Sequence, residues 1–132
     1  MNKLALLFTA CLSLLVACNN DDVDQQEECP DNIACTEQYV TLTVSFSDNN
    51  GDPLVLDSYT VTLVATGEVL TFSSNIDPVQ GTYALAEDKH LELVEKNGSE
   101  LRFEGIVDGS KVVDEIFLVG HDCCHVVLIE EE

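Results

Sequence analysis

The stretch Gln38-Tyr39-Val40-Thr41-Leu42-Thr43-Val44-Ser45-Phe46 decides how this chain folds. Val40, Leu42, Val44 and Phe46 alternate with Tyr39, Thr41, Thr43 and Ser45. A repeat of two sends successive side chains to opposite faces of an extended backbone, so the segment is a strand with one buried face. Asp48-Asn49-Asn50-Gly51-Asp52-Pro53 then supplies a dense turn signal. A second alternation follows, with Tyr59, Val61, Leu63 and Ala65 on one face and Ser58, Thr60 and Thr62 on the other. Thr66-Gly67 turns the chain into a short strand near Glu68 to Phe72.

Toward the C-terminus, Ser73 to Gly81 reads as a loop and Thr82-Tyr83-Ala84-Leu85 as a strand. Glu87 to Glu95 admits two readings: its Glu, Lys and Leu content favours a helical turn, while Leu91, Leu93 and Glu95 also alternate. Asn97-Gly98 is a turn, Leu101 to Val107 a strand, and Asp108-Gly109 a tight hairpin. Val112 to Val119 and Cys123 to Ile129 close the domain as two β-rich runs. About seven short strands at this spacing predict an all-β protein, a single antiparallel sandwich of the immunoglobulin-like or transthyretin-like kind, with room for one short helical turn. The expected core is aliphatic, since Trp is absent.

Toward the N-terminus the chain changes character. Lys3 precedes the apolar run Leu4 to Ala17, interrupted only by Thr9 and Ser13. A short basic segment, a brief apolar stretch and small residues at its exit make a secretory signal peptide over residues 1–17. The run falls short of the ~20 apolar residues that span a bilayer. Its exit, Leu15-Val16-Ala17-Cys18, resembles the lipobox of bacterial lipoproteins. That resemblance implies that Cys18 becomes the mature N-terminus and carries the lipid, with the outer membrane as its destination. The membrane is then a partner through the N-terminal anchor, and several acyl chains hold stably where one is marginal.

Asn19 to Glu28 has five acids, no base and one aliphatic residue, too little apolar surface to fold. Residues 18–35 are accordingly expected to be lipidated Cys plus acidic flexible tether, and 36–130 the sandwich. Asn19-Asn20-Asp21-Asp22 also resembles the acidic surface-export signal of some Gram-negative lipoproteins, which implies surface exposure; a spacer and a signal are compatible.

The whole chain has 25 acids against 5 bases, a formal charge of −20. Losing residues 1–17 removes Lys3 and no acid, which makes it −21. Such a surplus excludes nucleic acid, whose binding rests on neutralising phosphates with Lys and Arg. It leaves an unidentified protein or glycan as the expected partner. No nucleophile elbow, phosphate-binding Gly loop or His-Glu-x-x-His helix is present, so the chain is read as non-enzymatic and in need of no cofactor.

Of six Cys, Cys11 leaves with the signal and Cys18 is acylated, so Cys29, Cys35, Cys123 and Cys124 remain. An exported chain meets an oxidising environment, which makes these four disulfide candidates. Adjacent Cys123 and Cys124 are poor partners for each other because a vicinal bridge strains its ring. Two arrangements stay open. The N-terminal pair bonds the C-terminal pair, with a link such as Cys35 to Cys124 closing about 90 residues, or Cys29 bonds Cys35 locally and leaves two thiols. The segment His121-Asp122-Cys123-Cys124-His125 carries the alternative chemistry. If it is extended, His121, Cys123 and His125 share a face, and imidazole with thiolate could ligate zinc or copper. His90 alone reads as a surface residue. Asp48 to Asp52 offers oxygens around a Gly in the manner of calcium loops, but lacks the closing bidentate acid, and a hairpin-type turn explains it with fewer assumptions.

One family likeness rests on these residues. Val44 to Leu54 is similar to the opening of transthyretin-like, carboxypeptidase-regulatory-type sandwich domains, which run strand, Asp-x-x-Gly-x-Pro turn, strand. Gly81-Thr82-Tyr83 is similar to their later Gly-x-Tyr strand. The chain departs from them at Val55-Leu56-Asp57, where they have a small-Gly-Ala step. The ending Asp122-Cys123-Cys124-His125 resembles that of small bacterial surface lipoproteins. The resemblance implies the sandwich fold and a non-catalytic role.

Overall fold

The computed structural model describes residues 29–74, 76 and 80–129. The signal peptide, Cys18 and the tether up to Glu28 lie outside the described residues. Among those described, seven strands and one short 3-10 turn form two antiparallel sheets. In chain order the strands are β1 (Thr41–Ser45), β2 (Ser58–Leu63), β3 (Glu68–Val69), β4 (Thr82–Glu87), β5 (Ser99–Val107), β6 (Ser110–His121) and β7 (Val126–Leu128). β1 and β4 make the small sheet; β3-β2-β5-β6-β7 make the large one. The result is a β-sandwich, as the alternating segments predict.

The two sheets meet on the predicted inner positions. Val44 and Tyr83 from the small sheet face Val61, Leu63, Leu101 and Phe103 from the large one, all buried. The core is mainly aliphatic, as expected, with an aromatic cluster within it: Phe103 stacks on Tyr59 at 5.1 Å and lies 4.9 Å from Phe46. Such ring contacts contribute about 0.5–1.5 kcal/mol each beyond the area they bury. Two bulges interrupt the ladders. Leu42 pairs with Ala86 but Thr43 with Ala84, so Leu85 is an extra residue in β4 and both Leu85 and Ala86 reach the core. Gly105 pairs with Val113 but Ile106 with Lys111, which leaves Val112 extra in β6.

The turns follow the sequence signals. Asp108 and Gly109 both have positive φ, 49° and 74°, the two-residue hairpin geometry that matches strand twist. The Asp48 Oδ1 accepts the N–H groups of both Asn50 and Asp52, so this carboxylate closes its own turn. Gly81 has φ +67°, and a Cβ there would lie 2.6 Å from the Phe46 carbonyl oxygen, so only Gly fits this corner. Two residues on, the Tyr83 hydroxyl donates to the Leu54 carbonyl (2.8 Å) and accepts from the Leu56 N–H (2.7 Å). This pins the link between β1 and β2 onto β4.

Three expectations change. The strand near Glu68 to Phe72 is regular only over Glu68–Val69, although Leu70 still donates to the Val61 carbonyl. The Glu87 to Glu95 stretch resolves as a 3-10 turn, Asp88–His90, followed by turns. Cys123 is not in a strand. Residues 122–125 form the hairpin turn between β6 and β7, with Cys123 at φ +79°.

Candidate functional site

The residues with the richest chemistry converge where the N-terminal lead-in meets the β6–β7 hairpin. Asp122 builds the turn: its carboxylate accepts the N–H groups of Cys124 (2.9 Å) and His125 (2.7 Å), and its own N–H donates to the His125 carbonyl (3.0 Å). These donors hold the Asp122 carboxyl below the usual carboxylate range. A short polar side chain that bonds the backbone two and three residues on stops a strand and starts a turn. The alternation that would place His121, Cys123 and His125 on one face therefore ends at His121.

The turn presents Cys123 and Cys124 to the lead-in. Cys29 bonds Cys123 and Cys35 bonds Cys124, with Cα separations of 5.6 and 5.3 Å. All four candidate cysteines are thus used in two long-range bridges, and the local Cys29–Cys35 arrangement is excluded. Positive φ at Cys123 allows two adjacent residues to reach two different partners. Cys29 and Cys35 belong to the stretch assigned above to the tether, and both are tied to the sandwich.

The metal candidates are not brought together as expected. The Nδ1 of His125 meets the Asp88 carboxylate at 2.8 Å and its Nε2 meets the Thr36 hydroxyl at 3.0 Å. The Nδ1 of His121 accepts the Cys123 N–H at 3.1 Å. Donor atoms of Cys29, His121 and Cys123 do gather within 4.8 Å of one another, but the two sulfurs are bonded to each other. A disulfide supplies no thiolate, the form of Cys that binds zinc.

Sequence reasoning missed the residues beneath this clasp. Asp88 accepts the N–H groups of Val40 (2.7 Å) and Val126 (3.0 Å) in addition to meeting His125. Burial pushes its carboxyl up, yet these donors outweigh burial and hold it below the usual range. Glu87 is fully buried, and its carboxylate accepts the N–H groups of Ser73 and Ser74 and sits 3.1 Å from the Lys89 ammonium. Burial again opposes ionisation, but the bonds from Ser74, Ser73 and Lys89 win and bring its pKa to about 2. His90 is buried rather than exposed, at 4 %. Its Nδ1 accepts the Glu87 N–H, so the proton is on Nε2, which donates to the Thr71 carbonyl. Burial depresses its pKa and keeps the imidazole neutral. The available signal was two acids closing a strand that is otherwise apolar, Tyr83 to Ala86; among 25 acids it does not stand out.

No protein-family model, curated protein or solved structure matches this chain.

Proposed function

We propose that this chain is a lipid-anchored extracytoplasmic β-sandwich module with a non-enzymatic binding or structural role, held in the outer membrane through Cys18. The observation that carries this reading is the pair of bridges, Cys29–Cys123 and Cys35–Cys124. Paired long-range disulfides form and persist in oxidising compartments, which agrees with the secretory signal over residues 1–17. The bridges also sit where an anchored domain bears load. The eleven-residue step from Cys18 to Cys29 reaches at most roughly 40 Å. Any pull through it falls on covalent links to the β6–β7 hairpin and not on the edge of β1.

The chemistry-bearing side chains support a module without catalysis, because the fold itself employs them. His90 and His125 each engage both ring nitrogens, and Glu87 and Asp88 satisfy backbone donors. The Asp48 turn and the Gly81-Thr82-Tyr83 segment are the residues on which the sequence resembles transthyretin-like sandwiches, and the β-sandwich fold agrees with reading the chain as a free-standing relative of them.

Two measurements test the proposal. In cells fed labelled fatty acid, the wild-type chain takes up label and fractionates with the outer membrane, whereas Cys18→Ala does neither; a label-free, soluble wild type would refute the anchor. Mass spectrometry of the purified mature chain is expected to find both bridges and no stoichiometric metal. Free thiols with bound zinc or copper would replace this reading by a metal-binding lipoprotein built on Cys29, His121 and Cys123.

A further inference from the structure

β6 is twelve residues long, and β7 pairs only with Val119, Gly120 and His121. One more bond, from the Ile129 N–H to the Leu118 carbonyl, extends that contact. On its other side β6 is paired by β5 from Ser110 to Val119. No described strand lies along the outer edge of β6 from Ser110 to Phe117. The bulge at Val112 breaks the regular ladder, so the straight open stretch is Val113 to Phe117. Peptide groups alternate sides along an antiparallel strand. Because the Leu118 carbonyl faces β7, the N–H and C=O of Ile116 and Asp114 face the same open side. An exposed row of this kind is a template for another strand.

A notch of about 460 Å³ opens where β7 stops. Ile116, Leu118 and Ile129 line it from the outer face of the sheet, Phe117 and Leu128 from the inner face, and Glu100 closes one wall. Ile116 is 58 % exposed and Leu128 42 %, a large apolar exposure at a strand edge. The local charge has one sign to spare. Arg102 and Lys111, two bases on this face, are already tied to Asp114 and Glu104. Glu115 stands exposed within the open stretch, Glu100 lines the notch, and the whole chain carries −20.

We infer that this edge docks an extended segment of another protein, which adds to the large sheet in line with β7, sets aliphatic side chains in the notch and carries Lys or Arg between them. Main-chain bonds supply affinity in this mode of recognition and alternate side chains supply specificity. A second copy of this chain would bring the same surplus of acid to the edge. Glu130, Glu131 and Glu132 offer no aliphatic side chain for the notch and carry the same sign as Glu115. The inference rests on the reading of the chain as a binding module and names that module's surface.

The test uses the mature lipidated chain in detergent micelles and the peptide Lys-Val-Lys-Ile-Lys-Val-Lys as probe. Binding is followed by fluorescence anisotropy, and protection of the Asp114 and Ile116 amides by hydrogen exchange. Expected is saturable binding that slows both amides. Binding should weaken about tenfold in Ile116→Ser, on the scale of losing one partly buried aliphatic side chain. Val55→Ser, an exposed site in the link between β1 and β2, should leave it unchanged. The same peptide N-methylated at alternate residues keeps the charge and loses the strand bonds, so its binding should collapse. Equal binding by that peptide would mean charge alone and would overturn the proposal, as would no binding at all. Amides of Asp114 and Ile116 that are protected in the free chain and released by deleting residues 130–132 would assign the edge to the chain's own end instead. The anchoring and bridge measurements above are independent of these outcomes, so either reading can fail without the other.

Discussion

The two bridges interleave along the chain and close almost the same loop, which makes their contributions non-additive in a way that can be worked out. Each joins residues about ninety apart, with sequence separations of 94 and 89. In the chain-entropy model, closing a loop of that size stabilises the fold by about 4.7 kcal/mol. Once either bridge is closed, however, the other has only a small ring left to close. That ring runs from Cys29 to Cys35 and across Cys123–Cys124, about nine residues, which the same model values at about 2.5 kcal/mol. Removing one bridge, as Cys29→Ser with Cys123→Ser or as Cys35→Ser with Cys124→Ser, is therefore expected to cost about 2.5 kcal/mol in either case. Removing both should cost about 7 kcal/mol, well above the ~5 obtained by adding the single losses, and comparable to the whole stability of a typical domain. Urea unfolding of the three variants and the wild type at neutral pH measures this directly. Single losses above about 4 kcal/mol, or a quadruple variant that loses no more than the two singles added together, would refute the idea that the two bridges close one shared loop.

Three further outcomes follow from the buried polar groups and the glycine corner. Tyr83→Phe leaves the Leu56 N–H and the Leu54 carbonyl without their partner and should cost about 1–3 kcal/mol in thermal or urea unfolding. Glu87 has its folded pKa depressed to about 2 from an ordinary 4.5, so its contribution is fully present above pH 4.5 and is lost as pH falls through 2. That contribution is about 3 kcal/mol, and Glu87→Gln should flatten stability between pH 4.5 and 2 while lowering it at pH 7. His90, also depressed, starts the decline earlier, as pH drops below its ordinary 6.5. Gly81→Ala must carry a side chain at φ +67° and against the Phe46 carbonyl, and should lose about 2 kcal/mol or more of unfolding free energy.

The strands were legible because each half-buried strand repeats every two residues, and because Asp108-Gly109 and Thr66-Gly67 supply the positive-φ chemistry that short hairpins demand. What ends a strand was less visible. The run from Cys123 to Ile129 looks continuously β-forming, and it is the carboxylate of Asp122, bonding the N–H groups of Cys124 and His125, that converts its first half into a turn. Asp122 was in plain sight, but its effect depends on whether the backbone offers those two donors, which is a tertiary outcome. The division into sheets of two and five strands was not legible either. Pairing partners are chosen by which faces stack, and the alternation in β1 and β2 is the same whichever sheet each joins.

The site was half legible for a related reason. Cysteines announce themselves by their rarity, so the four that form the bridges could be named, while their pairing stayed open. Carboxylates do not announce themselves in a chain with 25 of them. Glu87 and Asp88 are neighbours, yet they serve different parts of the fold. Glu87 turns to the Ser73–Ser74 segment, and Asp88 turns to the Val40 and Val126 amides. Val40 leads from the lead-in into β1, and Val126 opens β7, so Asp88 joins the same two stretches of chain that the disulfides join. Covalent bridges and a half-buried carboxylate thus close one seam twice. Chemistry that looked from the sequence like a ligand site is, in the folded chain, a fastening of the lead-in before β1 to the β6–β7 hairpin.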